Sequence, residues 1–270
     1  MTDVLTVEIE DHVATVWLDR PDARNAMGPD LWRDLPLAMG RLDEDPEVRV
    51  VVVAARGPAF SVGIDLKAFG GFMAGAGSDD GVAGRRALQA QVTDMQRTMS
   101  SLADCRKPVI AAVQGYCLGA GVDLITACDI RLASEDAVFS VRETRMAMVA
   151  DVGTLQRLPR ILNPGQVADL VFTGRDFDAA EAHRIGLVSA VYADQADLVK
   201  AARELADQIA ANSPLAVQGS KAVLAATDGM TTQAALDYAA LWSAAFLHSN
   251  DLQEAVMAFL EKRPPTFDGT

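Results

Sequence analysis

The sequence predicts an α/β fold, and three observations predict it. Short apolar runs rich in β-branched residues, Val48 to Ala55 and Val109 to Val113, have the continuous hydrophobicity of strands buried on both faces. Stretches of helical spacing alternate with them, and each run closes on a glycine turn, Arg56-Gly57-Pro58 in one case and Gln114-Gly115 in the other. With 270 residues, 50% of them hydrophobic and 23% charged, the chain can bury a core large enough to offset its ordering entropy.

Val4 to Glu10 and His12 to Leu18 alternate apolar and polar residues around Asp11, which predicts a β-hairpin. Pro29 to Leu42 places Leu31, Leu35, Ala38, Met39 and Leu42 on one helical face. Gly70 to Gly84 is glycine-rich and poor in periodic apolar residues, so a mobile loop is expected there, followed by a helix from Arg85 to Cys105. Gly119 to Ala127 reads as helical and Ile130 to Ala133 as extended. From Asp194 onward the text is helical throughout, over Gln195 to Ala211, Pro214 to Thr227, Thr231 to His248 and Asp251 to Lys262.

The formal charge of −13 and a pI near 4.6 repel phosphate backbones and anionic lipid, so no nucleic-acid partner is expected. An anionic ligand then needs a local basic pocket or a helix N-terminus. The longest stretch free of Asp, Glu, Lys and Arg runs from Pro108 to Val122, short of the roughly 20 apolar residues of a membrane span. Neither terminus reads as a targeting signal, and the expected address is cytoplasmic. Cys105, Cys117 and Cys128 have no metal-ligand spacing and read as buried free thiols, so no metal is expected.

Three carboxylates stand in unusually apolar text: Asp123 within Gly119-Ala120-Gly121-Val122-Asp123-Leu124-Ile125, Glu143 after Val138-Phe139-Ser140-Val141, and Asp151 within Met148-Val149-Ala150-Asp151-Val152. Burial and mutual repulsion raise a carboxyl pKa toward neutrality, which suits proton transfer at pH 7. The competing reading makes them helix caps or partners of Arg142, Arg145 and Arg157. Glycine turns around Gly63 and around Gly119 to Gly121 follow strands and precede helices, where backbone N–H groups can face a developing oxyanion. Ser61 lacks a nucleophile context, and His12, His183 and His248 are remote from every motif.

Arg20-Pro21-Asp22-Ala23-Arg24-Asn25-Ala26-Met27, then Phe60-Ser61-Val62-Gly63-Ile64-Asp65-Leu66, then Gln114-Gly115-Tyr116-Cys117-Leu118-Gly119-Ala120-Gly121-Val122-Asp123-Leu124 with Cys128-Asp129-Ile130-Arg131, in this order, resemble the crotonase (enoyl-CoA hydratase/isomerase) superfamily over nearly the whole chain. The resemblance implies a crotonase-like spiral of β-β-α units with a C-terminal α-helical region. It divides the chain into an acyl-CoA-binding catalytic core over 1–193 and a trimerisation region over 194–270. It also implies an acyl-CoA thioester substrate, no separate cofactor because coenzyme A is part of that substrate, and a homotrimer or dimer of trimers. The backbone N–H groups of Ile64 and Ala120 become the oxyanion hole. Ala23, Arg24, Val62, Gly63, Ile64, Asp65, Leu66, Lys67 and Ala120, with Phe259 and Lys262 by a C-terminal likeness, become the substrate and CoA contacts.

Hydratases of the superfamily carry Glu, Glu and Gly at the positions of Asp123, Glu143 and Asp151. The Asp, Glu, Asp pattern here, with Ala150-Asp151-Val152-Gly153-Thr154-Leu155-Gln156-Arg157-Leu158-Pro159, is similar to the Δ3,5-Δ2,4-dienoyl-CoA isomerases. Ala120 departs from a position where Gly is usual and adds a methyl beside the thioester. The expected activity is isomerisation of 3,5-dienoyl-CoA to 2,4-dienoyl-CoA in fatty acid β-oxidation, with Asp123, Glu143 and Asp151 catalytic. The alternatives are a 2-enoyl-CoA hydratase, a silent acyl-CoA binder, and an RNA-binding relative that the acidic charge disfavours.

Overall fold

The computed structural model describes residues 3–70 and 81–270. The strands β1 (Leu5–Glu10) and β2 (Val13–Leu18) form the expected antiparallel hairpin. Its two-residue turn, Asp11 and His12, has positive φ at both positions, which matches the right-handed twist of the strands it joins. The helix α1 (Pro29–Glu44) follows, with Leu31, Leu35, Ala38, Met39 and Leu42 buried as its spacing requires.

The remaining strands are β3 (Val50–Ala55), β4 (Val109–Val113), β5 (Tyr116–Leu118), β6 (Ile130–Ser134), β7 (Val138–Ser140), β8 (Phe177–Asp178) and β9 (Ala190–Tyr192). The first sheet has the order β1-β2-β3-β4-β6-β9 and is parallel from β2 onward; the second has the order β5-β7-β8. Gly115 lies between β4 and β5, where the chain passes from one sheet to the other.

Both faces of the first sheet are covered, which is why its strands read as unbroken apolar runs. Val51, Val53 and Ala55 of β3 and Val109, Ala111 and Val113 of β4 point into the larger core, with Met39, Phe60, Met99 and Leu124. Val50, Val52, Ala54, Ile110 and Ala112 point to the other face and meet Leu198, Ala202, Ala206 and Ala210.

The helices after α1 are α2 (Gly81–Asp104), α3 (Ala120–Thr126), α4 (Thr154–Arg157), α5 (Pro164–Thr173), α6 (Ala179–Ile185), α7 (Gln195–Ala210), α8 (Pro214–Ala226), α9 (Thr232–Phe246) and α10 (Asn250–Glu261). Of the loop expected from Gly70 to Gly84, residues 71–80 lie outside the described residues, and Gly81 to Gly84 instead begin α2. Only the C-terminal half of α2 is buried, through Met95, Thr98, Met99 and Leu102. That half carries the apolar spacing that made the later part of the helix legible.

All four predicted C-terminal helices form. The first of them, α7, lays its small Ala stripe on the sheet and so shares the core with residues before 194. The helices α8 to α10 leave Leu224, Leu241 and Phe259 more than 70% exposed. A cavity of about 600 Å3 opens among them, lined by Val223, Trp242, Phe246 and Leu252. No helix among the described residues is long and apolar enough to cross a membrane.

Gly115 has φ +55°, and a Cβ there would stand 2.1 Å from the Pro58 carbonyl oxygen. Gly115→Ala is expected to destabilise the fold by about 2–4 kcal/mol, from left-handed strain and backbone overlap together. Gly40, on the exposed side of α1 with open space around it, is the control: Gly40→Ala should raise stability by up to about 1 kcal/mol. Urea unfolding midpoints of the two variants check both signs.

Candidate active site

Two backbone turns meet at the edge of the second sheet. Residues around Ser61 pair with β5: Ser61 N–H donates to the Tyr116 carbonyl at 2.9 Å, and Leu118 N–H donates to the Ser61 carbonyl at 2.9 Å. Gly63 then turns with φ +89°, and its missing side chain matters, because a Cβ would lie 2.9 Å from the Leu118 oxygen and 3.5 Å from the Ala120 nitrogen. The flanking groups are all engaged: Gly63 N–H donates to Ser61 Oγ at 3.1 Å, Asp65 N–H to the Met27 carbonyl at 3.0 Å, and Gly119 N–H to the Ser140 carbonyl at 2.9 Å. The Ile64 and Ala120 N–H groups donate to no acceptor among the described residues. Two adjacent turns thus present two unclaimed donors, the requirement for holding an oxyanion.

Ser61 is fully buried and its hydroxyl is occupied, donating to the Asn25 carbonyl at 2.8 Å. It fixes the turn. This agrees with the absence of a nucleophile motif around it.

Asp123 lies one turn into α3 and is 1% exposed. Its Oδ1 accepts from the Thr154 N–H, at the start of α4, at 2.6 Å. Burial pushes its pKa up to about 6, against the hydrogen bonding from Thr154; the Asp151 charge adds to the rise and the Arg157 charge opposes it. Glu143 opens a 3-10 turn after β7 and is half-buried. Burial, then repulsion from Asp123 and from Asp151, push its pKa up to about 7. Its Oε1 lies 3.2 Å from where a Gly119 Cβ would be, so the glycine that starts α3 also gives this carboxyl its place. Asp151 sits at the solvent edge, raised by partial burial, and its carbonyl accepts from Gln96 Nε2 at 2.7 Å.

The three predicted carboxylates therefore act on one another across a shared site. None of them forms an ion pair with Arg142, Arg145 or Arg157 among the described residues; Arg142 instead pairs with Asp176. Among the described residues three buried side-chain polar atoms lack a partner, and all belong to this region: Glu143 Oε2, Thr154 Oγ1 and Arg157 Nη1. Thr154 was not legible as a site residue, because what it supplies is a backbone N–H.

The predicted CoA contacts fall into two groups. Ala23, Arg24, Val62, Leu66 and Lys67 lie on the segments that flank the Gly63 turn, where Val62 N–H donates to the Arg24 carbonyl, and Arg24 and Lys67 are exposed. Asp65 has a structural task in the same place: it caps the helical turn over 66–70 by accepting from Lys67 and Ala68 N–H at 3.2 Å, and it pairs with Arg20 at 3.2 Å. Phe259, 82% exposed, and Lys262, the left-handed residue that ends α10, make no hydrogen bond or ion pair with these residues within the chain. The three cysteines are free and buried, as expected.

Fold and site together bring two unclaimed backbone N–H donors beside buried carboxylates of raised proton affinity. The family model for enoyl-CoA hydratase/isomerase matches residues 8–270, and the chain belongs to that family. A peroxisomal Δ(3,5)-Δ(2,4)-dienoyl-CoA isomerase of Arabidopsis thaliana is 40% identical over 267 residues, covering 98% of this chain and 96% of the relative. A mitochondrial enzyme of the same name from Mus musculus is 40% identical over 94% of this chain and 78% of its own length. The crystal structure of an enoyl-CoA hydratase from Bacillus anthracis superposes with a TM-score of 0.90 at 31% identity, covering 99% of this chain and all of that one. The crotonase fold expected from the sequence is thereby established.

The raised pKa of Asp123 has a consequence for stability. The folded chain holds this proton more tightly than the unfolded chain, whose Asp titrates near 3.8, so its contribution to stability is complete below about pH 4 and is lost as pH rises through about 6. Asp123→Asn, which keeps an acceptor for Thr154 without the charge, is expected to be more stable than the parent at pH 8, by about 2 kcal/mol. The gain should fade toward pH 4. Thermal melts of both proteins across this range test it, and a less stable variant at pH 8 contradicts it.

Proposed function

We propose that this enzyme converts 3,5-dienoyl-CoA to 2,4-dienoyl-CoA in fatty acid β-oxidation. The observation that carries the reading is the Asp123–Glu143 pair beside the Ile64 and Ala120 N–H groups, with both carboxyls raised toward neutrality. The reaction removes a proton from carbon 2 and adds one at carbon 6. Two proton-transfer groups facing separated carbons meet that need.

One carboxylate takes the carbon 2 proton, and the C–H electrons move into the conjugated system as the thioester oxygen gains charge. The two N–H donors stabilise this dienolate, at about 3 kcal/mol each in a dry site. The other carboxyl delivers its proton to carbon 6, leaving double bonds at positions 2 and 4. One proton is taken and one given, so the pair's total is unchanged. Exchange between the two, or with water past Asp151, restores the start. The reaction needs the pair to hold one proton, the state that dominates between their titrations.

A 2-enoyl-CoA hydratase needs the same carboxyls to place a water. Asp123 is one methylene shorter than the hydratase Glu, so it stands about 1.5 Å back from such a water, and errors of that size are costly. CoA is assigned to Arg24 and Lys67 with Phe259 and Lys262, and the exposed apolar surface of α8 to α10 supports assembly as a trimer or a dimer of trimers. The cytoplasmic address remains part of the proposal.

With 3,5-octadienoyl-CoA, ultraviolet absorbance should show the 2,4-diene appear, with no hydration of 2-octenoyl-CoA; hydration alone reverses the assignment. Asp123→Asn should abolish turnover and leave CoA binding intact. The kcat profile should be bell-shaped, falling below about pH 6 as Asp123 protonates and above about pH 7 as Glu143 loses its proton. Glu143→Gln should lose the alkaline limb and about 10²–10⁴-fold in kcat. A pH-independent rate over this range contradicts the shared-proton scheme.

A further inference from the structure

Arg157 is a cation whose charge favours the ionised form of Asp123, and the reaction proposed above gives it no direct part. Arg157 ends α4, three residues after Thr154, whose N–H binds that carboxylate, and its guanidinium folds back against Gly153, the residue before Thr154. Nη2 donates to Ser100 Oγ of α2 at 2.9 Å, and Nη1 is buried with no partner among the described residues. Gly153 makes the room: its φ is +138°, and a Cβ there would stand 1.9 Å from Nη1. A glycine is therefore required for the guanidinium to occupy this place.

A cation with part of its guanidinium buried is normally steadied by an ion pair, because the desolvation of an unpaired charge is unfavourable. Arg157 forms none among the described residues, whereas its neighbour Arg160 pairs with Asp228 at 2.9 Å. Its charge is consequently not cancelled by direct contact, and its field reaches Asp123. The groups facing Asp123 are Glu143 and Asp151, the Cys117 thiol of β5, and Arg157. Those around Arg157 are Asp123, Asp104 of α2, Arg160 and the Cys128 thiol. Burial lowers the Arg157 pKa from its ordinary value, which still leaves it a cation at any pH of interest.

We propose that Arg157 is a positioning residue: seated against Ser100 in the space left by Gly153, it is the counter-charge that keeps Asp123 ionised while Glu143 holds the pair's single proton. Burial and the negative charge of Asp151 oppose ionisation of Asp123. Without the Arg157 charge, Asp123 would keep its proton at higher pH and the interval with one shared proton would narrow. The assignment rests on the isomerase reading for its kinetic consequence but not for its electrostatic one.

The test uses both. Full-length protein labelled with 13C at the aspartate side-chain carboxyls, with Asp123→Asn to assign the signal, reports the Asp123 titration without any substrate. The pH profile of kcat on 3,5-octadienoyl-CoA reports the acid limb. Arg157→Gln is expected to move the Asp123 midpoint and the acid limb upward together, and Arg157→Lys to return both toward the parent values. An unmoved midpoint in a folded Arg157→Gln protein overturns the proposal and leaves Arg157 a packing residue. A shifted midpoint in a protein that does not isomerise the dienoyl-CoA supports the assignment while rejecting the activity. If Arg157→Gln does not fold, Ser100→Ala decides: releasing the guanidinium should move the midpoint up, and no movement overturns the proposal.

Discussion

The approach of the Gly63 turn to the turn at Leu118 to Ala120 is the constraint on which the site depends. Ser61 and β5 exchange backbone hydrogen bonds on one side, and Gly119 is tied to β7 through the Ser140 carbonyl on the other. The two unclaimed N–H groups are thus held by three separate segments of chain. Any side chain at Gly63 would collide with the Leu118 oxygen and push the donors apart. Preorganised donors need no rearrangement as charge develops, which is the source of their catalytic value. The second sheet, only two or three residues deep in each strand, gives Cys117, Phe139 and Phe177 to the larger core and holds this registration.

Against this rigid backbone the carboxylates are electrostatically unfavourable. Asp123 is almost fully buried, Glu143 leaves an oxygen buried without a partner, and the charge of Asp123 raises the proton affinity of Glu143. A fold tolerates such a cluster when its packing elsewhere is sound, and here both faces of a six-stranded sheet are closed, one by α7 and the other by the core around Phe60 and Met99. Local rules are broken at the carboxylate cluster and obeyed where stability is made.

Long periodic elements were legible in the sequence. The hairpin, α1, β3, β4 and the four C-terminal helices show their period over five or more residues. The strands β7, β8 and β9 and the short helices between Val141 and Ile185 went unassigned, since two or three residues cannot display alternation and their formation depends on tertiary partners. The carboxylates stood out because acids in apolar text need an explanation. Thr154 did not, because a backbone N–H leaves no mark on residue identity. That α7 belongs to the sheet was hidden as well: an Ala stripe signals close packing without naming what is packed against.

The choice of Asp at position 123 follows from its anchors. Its Cα is fixed by the first turn of α3, whose start is set by Gly119, and its Oδ1 is fixed 2.6 Å from Thr154 N. The Asp side chain, with its single methylene, reaches that N–H. A Glu would have to fold back or release the N–H, and either change moves the carboxylate relative to the oxyanion donors. The same N–H that limits its length also stabilises its charged form, partly offsetting burial, so geometry and proton affinity are set by one contact. Asp151, three residues before Thr154 and open to solvent, adds negative charge to the same pair. The Asp, Glu, Asp pattern is therefore one coupled arrangement in which length, anchor and charge were fitted together.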